Sequence, residues 1–118
     1  MTKVKAKDLT PVSVSYAEAL ERLETALDAA ETVTDLARNT NQRVNALAVE
    51  RAIRNEIREL LVAALASSGD AYVPLTEGIK MSVDSLKDAV DRIDKLVANL
   101  EKAKKLADAA ARLVEILI

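Results

Sequence analysis

The last third of the chain constrains the fold most. After Gly78, the remaining 40 residues contain no glycine or proline, and their apolar residues recur every seven positions in two series. The first series is Ile79, Leu86, Ile93, Leu100, Ala107 and Val114, and the companion series is Ala89, Leu96, Ala103, Ala110 and Leu117. A sustained seven-residue repeat is typical of helices that pack along one seam, as in coiled coils. We therefore predict one helix of about 40 residues and about 60 Å. A break near residues 99–105, which gives four helices, is the alternative.

The composition extends this prediction to the whole chain. Of 118 residues, 50% are hydrophobic and only 2% are aromatic, and there are two glycines and two prolines. Alanine and leucine favour helices, whereas sheets are enriched in β-branched and aromatic residues. The length fits one hydrophobic core. The sequence therefore predicts an all-α protein with a single domain.

A shorter amphipathic helix is predicted to begin near Ser13 or Ser15. Ser15 and Glu18 have the spacing of a capping box, in which each side chain satisfies a backbone N–H of the first helical turn. Apolar residues then recur at three- and four-residue steps to about residue 38, as expected for a helix with one buried face. Residues 1–12 lack this periodicity and are predicted to form an N-terminal arm, with the helical bundle over 13–118.

A polar turn is expected between the first two helices. Residues 39–42 (Asn-Thr-Asn-Gln) have poor to middling helix propensity, and asparagine tolerates the backbone conformation that ends helices. One helix running through this segment is the alternative. The second helix is predicted over 44–67, and Gly69 and Pro74 predict a loop over 68–75. The expected architecture is an antiparallel bundle of three long helices.

Missing residue types exclude most catalytic and metal-binding chemistry. The chain has neither histidine nor cysteine, so it lacks the commonest general base, the thiolate nucleophile and the main ligands of zinc. We expect no enzymatic activity, no cofactor and no metal. The net charge of −2 is too balanced for a nucleic-acid binder. The longest uncharged stretch has ten residues, whereas a membrane span needs about 20. A cytoplasmic protein without a membrane span is therefore expected.

Charged residues form two stripes at helical spacing. Five carboxylates line the first helix: Glu21, Glu24, Asp28, Glu31 and Asp35. Three arginines line the second helix, with three glutamates interleaved: Arg51, Arg54 and Arg58 with Glu50, Glu56 and Glu59. Pairing of these arginines with the carboxylates across the hairpin is the favoured interpretation. For the carboxylates themselves a solvated face is the favoured interpretation, and a basic partner or a divalent-cation site is the alternative. Nucleic-acid binding is the alternative for the arginines. Tyr72, in the predicted loop, is expected to cap the core.

The predicted third helix is longer than the two helices that would cover it. The first two reach about 38 Å each, which leaves about 20 Å of the apolar stripe exposed. An exposed stripe of this kind marks an interaction site. The predicted partner interface comprises six residues: Leu100, Leu106, Leu113, Val114, Leu117 and Ile118. A homodimer or small homo-oligomer is therefore expected, and an unidentified protein partner is the alternative.

These observations favour a protein that works by contact. We expect a non-enzymatic helical bundle acting through protein–protein interaction, as a self-assembling structural unit, an adaptor or a protein inhibitor. The alternative is a bundle that binds an apolar small molecule or lipid between its helices. The many alanines argue against this alternative, because they let helices approach closely and leave little cavity volume.

Overall fold

The computed structural model describes residues 9–67 and 69–118, and over these residues it consists of five α-helices. They are α1 (Tyr16–Leu36), α2 (Thr40–Ser67), α3 (Glu77–Met81), α4 (Val83–Leu96) and α5 (Leu100–Leu117). The same residues contain no strand, only an isolated bridge between Ser15 and Ala71. The all-α prediction is confirmed. No helix in the described part of the chain is both long enough and apolar enough to cross a membrane.

Side-chain caps set the start of α1 and of α2. The Ser15 hydroxyl accepts a hydrogen bond from the Glu18 backbone N–H at 3.2 Å, at the predicted helix start. The Asn39 side chain likewise accepts a hydrogen bond from the Gln42 N–H at 2.9 Å. The predicted turn between the helices is confirmed, but α2 begins at Thr40 and not at residue 44, because Asn39 caps it.

The prediction of one continuous third helix is wrong. A first break falls at Ser82, whose hydroxyl donates a hydrogen bond to the Ile79 carbonyl at 2.7 Å. A second break precedes Asn99, whose side chain accepts a hydrogen bond from the Lys102 N–H at 3.0 Å. Serine and asparagine side chains offer the backbone an alternative hydrogen bond, so neither break needs glycine or proline. The segment forms three helices, and its second break lies just before the region considered as the alternative.

The second break lets α5 fold back along α4 and α1. Leu113 and Val114 are fully buried in one cluster with Leu23 of α1. Leu106 and Ile93 pack with Ala29 in a second cluster. The predicted overhang of about 20 Å is therefore absent, because the chain covers its own apolar stripe.

The residues before α1 pack against the bundle. Leu9 is half-buried against the core, and the Val12 N–H donates a hydrogen bond to the Glu115 carbonyl at 2.8 Å. The Tyr72 N–H donates a hydrogen bond to the Val14 carbonyl, also at 2.8 Å, which ties the loop before α3 to this segment. Residues 1–8 of the predicted arm, and Ser68 of the predicted loop, lie outside the described residues.

Candidate interaction sites

The structure separates the six residues of the predicted partner interface. Three of them are buried between helices of the same chain: Leu106, Leu113 and Val114. Leu117 is half-buried against the core. Leu100 and Ile118 are 76% and 42% exposed. These two lie at opposite ends of α5, about 27 Å apart along the helix axis. The six residues do not form one surface.

Exposed apolar residues lie together on α2 instead. Five large apolar side chains of this helix are exposed: Val44, Leu47, Leu61, Val62 and Leu65. At about 100° per residue they project into a sector about 100° wide, on the side opposite Ile53 and Leu60. Arg51, Arg54 and Arg58 project into the same sector. We call these eight residues the outer face of α2.

The three arginines at the centre of the outer face differ in their partners. Arg54 contacts the Glu50 carboxylate at 3.1 Å and the Glu31 carboxylate of α1 at 3.9 Å. The predicted pairing across the hairpin is therefore confirmed for Arg54. Arg51 and Arg58 form no ion pair within the residues that the structure describes. Their guanidinium groups are available to a partner.

Two of the three interleaved glutamates point into the bundle. Glu50 and Glu56 are 4% and 0% exposed, and Glu50 accepts a hydrogen bond from the Thr34 hydroxyl of α1. Only Glu59 remains exposed. Sequence reasoning missed this, although Glu50 and Glu56 lie three residues either side of Ile53 and so fall on the apolar side of the helix. The outer face is therefore more basic than the alternation of arginine and glutamate indicates.

Glu56 fixes the loop between α2 and α3. One of its oxygens accepts hydrogen bonds from the Tyr72 hydroxyl at 2.6 Å and the Leu75 N–H at 2.8 Å. The other accepts a hydrogen bond from the Thr76 N–H at 2.9 Å. Burial, together with the Glu56 carboxylate, raises the pKa of Tyr72. The Tyr72 ring packs edge-on against Tyr16, with centroids 5.9 Å apart. The prediction that Tyr72 caps the core is confirmed.

A cleft of about 140 Å³ opens between α1, α2, α4 and α5. Small and apolar side chains form its walls: Ala26, Ala30, Val33, Ala46, Val49, Ala89 and Ile93. Polar residues also line it, namely Gln42, Asn45 and Ser85 together with Asp88 and Arg92, which form an ion pair at 3.2 Å. The expectation that the alanines would leave little cavity volume is wrong here, because α4 packs on α5 and does not close against the first half of α2.

The acidic stripe of α1 stays on the surface. All five of its carboxylate side chains are exposed. Within residues 9–67 and 69–118, no group of three or more histidine, cysteine, aspartate or glutamate side chains is arranged to hold a metal ion. The structure therefore gives the stripe no coordination geometry.

Comparison of the chain with protein-family models, with curated proteins and with solved structures finds no match. The described residues define an all-α protein. Over these residues the two distinctive exposed features are the outer face of α2 and the cleft beside it.

Proposed function

We propose that this protein is a non-enzymatic helical bundle that acts through protein–protein contact, and that the outer face of α2 is its contact surface. The observation that supports this is the exposure of Leu65 and Val62, at 91% and 70%, beside exposed Leu61, with Val44 and Leu47 exposed further along the same helix face. Covering one such side chain stabilises a complex by about 1.5–3 kcal/mol. Exposed apolar surface with polar residues around it marks interaction sites. An adaptor, an inhibitor or a structural unit would each use such a face.

A homodimer or small homo-oligomer is the second form of this proposal. The predicted partner interface on α5 offers little surface for self-association, because only Leu100 and Ile118 of its six residues are exposed and these two are far apart. Light scattering at tens of micromolar measures the oligomeric state directly. A monomer at that concentration would contradict self-assembly and leave contact with another protein.

The contact surface is tested by comparing three forms of the protein as bait in extracts of its source cell. The first is the unmodified chain, and the second carries Leu61→Gln and Leu65→Gln. The third carries Val73→Gln and Met81→Gln, which change two equally apolar, exposed residues elsewhere. Glutamine favours helix and adds no charge, and circular dichroism checks that each form is folded.

The expected result is a protein retained by the unmodified chain and by the Val73 and Met81 variant, and lost from the Leu61 and Leu65 variant. Proteins retained equally by all three baits would contradict the assignment of the outer face.

The cleft favours a second candidate, a bundle that binds an apolar small molecule or lipid. Its volume of about 140 Å³ is close to the roughly 150 Å³ of an engineered apolar cavity that holds benzene. The group that fits has about the size of one aromatic ring or the end of an acyl chain. Changes in the NMR spectrum of the protein on addition of benzene test this. Ala46→Leu fills the cleft and should abolish binding, whereas Ala48→Leu, on the exposed side of α2, should not.

A further inference from the structure

The outer face of α2 has three zones along its axis. Val44 and Leu47 form the first, the three arginines form the second, and Leu61, Val62 and Leu65 form the third. Two seams with seven-residue spacing run through all three zones: Val44, Arg51, Arg58 and Leu65, and beside it Leu47, Arg54 and Leu61. This is the spacing along which a second helix packs. Together we call the two seams the α2 seam. From Val44 to Leu65 the seam is about 32 Å long, which matches a partner helix of about 22 residues.

A second copy of this chain does not fit the seam. Antiparallel pairing of two α2 helices sets Arg51 against Arg58 of the copy, and parallel pairing sets each arginine against itself. Like charges at facing positions destabilise a helix pair. The acidic stripe on α1 of a second copy would neutralise the arginines. That helix, however, exposes no large apolar residue that could cover Leu65.

Nucleic acid and lipid surfaces also fit less well than a helix. A phosphate backbone would pair with the arginines but offers nothing apolar to cover Leu61 and Leu65. A helix that lies in a membrane surface keeps its cations on the face opposite its apolar side chains. On α2 the arginines and the leucines share one sector, so insertion of the leucines would carry the arginines with them.

We infer that the outer face of α2 binds an acidic amphipathic helix of another protein, with apolar residues near both ends and carboxylates at its centre. This inference rests on the proposed contact function and adds the chemistry of the partner. The apolar ends cover the leucines and valines of α2, while the carboxylates pair with Arg51 and Arg58. The central charges select the partner and its register, as charge complementarity does at other interfaces.

The test uses three synthetic helical peptides of about 22 residues, matched in length to the seam. All three carry the same leucines near both ends, and their central seam positions hold glutamate, glutamine or lysine. Fluorescence anisotropy measures the affinity of each for the unmodified protein. We expect the glutamate peptide to bind tightest, and its advantage over the glutamine peptide to shrink as salt is raised.

Two charge variants then locate the binding site. Arg51→Glu with Arg58→Glu should weaken the glutamate peptide about tenfold, because two attractions become two repulsions, and should make the lysine peptide the better ligand. Arg54 is left in place because its removal would strand the buried Glu50. The control is Lys102→Glu with Lys105→Glu, which makes the same charge change at exposed positions on α5 and should leave the affinity unaltered.

Three outcomes overturn the inference and differ in what they leave standing. If the glutamate and glutamine peptides bind with equal affinity, α2 binds a helix without preference for acidic residues, and the proposed contact function stands. Arginine-dependent binding of an oligonucleotide or of anionic phospholipid vesicles, without peptide binding, assigns the face to phosphate groups. In the third outcome no peptide binds, and the Leu61→Gln, Leu65→Gln variant retains the same proteins from the extract as the unmodified chain. The outer face is then not a docking surface, and the proposed function fails with the inference.

Discussion

Two segments of α2 are packed by different means: residues 40–49, called its first half, and residues 50–60, called its second half. In the second half, Ile53 and Leu60 are fully buried, and Glu56 holds the loop before α3 through three hydrogen bonds. In the first half, over residues 40–49, no residue is fully buried, and the cleft lies between this part of α2 and α4. The segment over residues 50–60 is therefore held on two sides, whereas residues 40–49 are held mainly by α1.

The difference shows what decides where a helix is fixed. Both halves carry alanines on the inner side, and both pack on α1. The second half is also covered by the loop and α3. A Cβ atom added at Gly78 of α3 would lie 3.9 Å from the Cβ of Ala52. A buried carboxylate with three donors brings that cover into place. The first half has no such group, and α4 turns away to α5.

Loss of the Glu56 carboxylate should have the largest effect on this comparison. Glu56→Ala leaves the Tyr72 hydroxyl and two backbone N–H groups without their acceptor. Each such loss costs about 1–3 kcal/mol, so the free energy of unfolding should fall by at least about 3 kcal/mol. Urea denaturation followed by circular dichroism measures it. Glu59→Ala, at an exposed position of the same helix, should change stability by less than about 0.5 kcal/mol. Equal effects of the two variants would show that Glu56 does not hold this half.

Overfilling the second half should have the next largest effect. Ala52 is 8% exposed and lies against α3, so Ala52→Leu forces the two elements apart and should cost about 1–3 kcal/mol. The same substitution at exposed Ala48 should stay within about 0.5 kcal/mol. Differential scanning calorimetry of both variants compares them. If Ala52→Leu leaves the stability unchanged, α3 can move away from α2 at little cost in free energy.

Alkaline pH should loosen the same half through Tyr72. The pKa of Tyr72 is raised in the folded protein by burial and by the Glu56 carboxylate. Its contribution to stability is therefore complete below the unfolded pKa of about 10. Above that pH the unfolded state releases the proton while the folded state keeps it, so stability falls by at most about 1.4 kcal/mol per pH unit.

Tyr72→Phe separates this effect from other groups that titrate above pH 10. The variant should lose about 1 kcal/mol at neutral pH, because Glu56 loses one donor. Its stability should then fall less steeply with rising pH than that of the unmodified protein. Parallel slopes in denaturation from pH 9 to 11 would contradict a role of the Tyr72 hydroxyl.

Local signals in the sequence predicted much of the fold. The Ser15 cap, the polar turn near Asn39 and the loop containing Pro74 are short-range features, and each lies at a helix boundary, although α2 starts at Thr40 and not at residue 44. The breaks at Ser82 and Asn99 depend on tertiary contact. A continuous helix would keep more backbone hydrogen bonds, but folding back buries Leu113 and Val114 against α1. The seven-residue repeat is compatible with either outcome, and so it did not distinguish them.

The candidate sites were harder to predict for the same reason. The outer face of α2 is recognisable only when the inner face is known, and the arginine stripe looked neutralised until Glu50 and Glu56 were seen to point inwards. Glu56 reaches donors 16 to 20 residues away in a loop, which no periodicity reports. The cleft is lined by residues of α1, α2, α4 and α5, which are far apart in the sequence, and the spacing of residues along one helix does not predict how such helices pack.

Filling the cleft should have the smallest effect, with the opposite sign. Ala46 is half-exposed at the cleft wall, and three further carbons at this position can enter space that is already open. Ala46→Leu should therefore raise the free energy of unfolding by about 0.5–1 kcal/mol, whereas Ala52→Leu lowers it. Ala48→Leu is the matched control, because it adds the same side chain two residues away on the exposed side. Thermal denaturation of the three variants gives the order. A gain at Ala46 alone would show that the first half of α2 lacks packing that its backbone can accept. If Ala46→Leu lowers the free energy of unfolding, both segments of α2 are already tightly packed, and the cleft has no room for a ligand between α2 and α4.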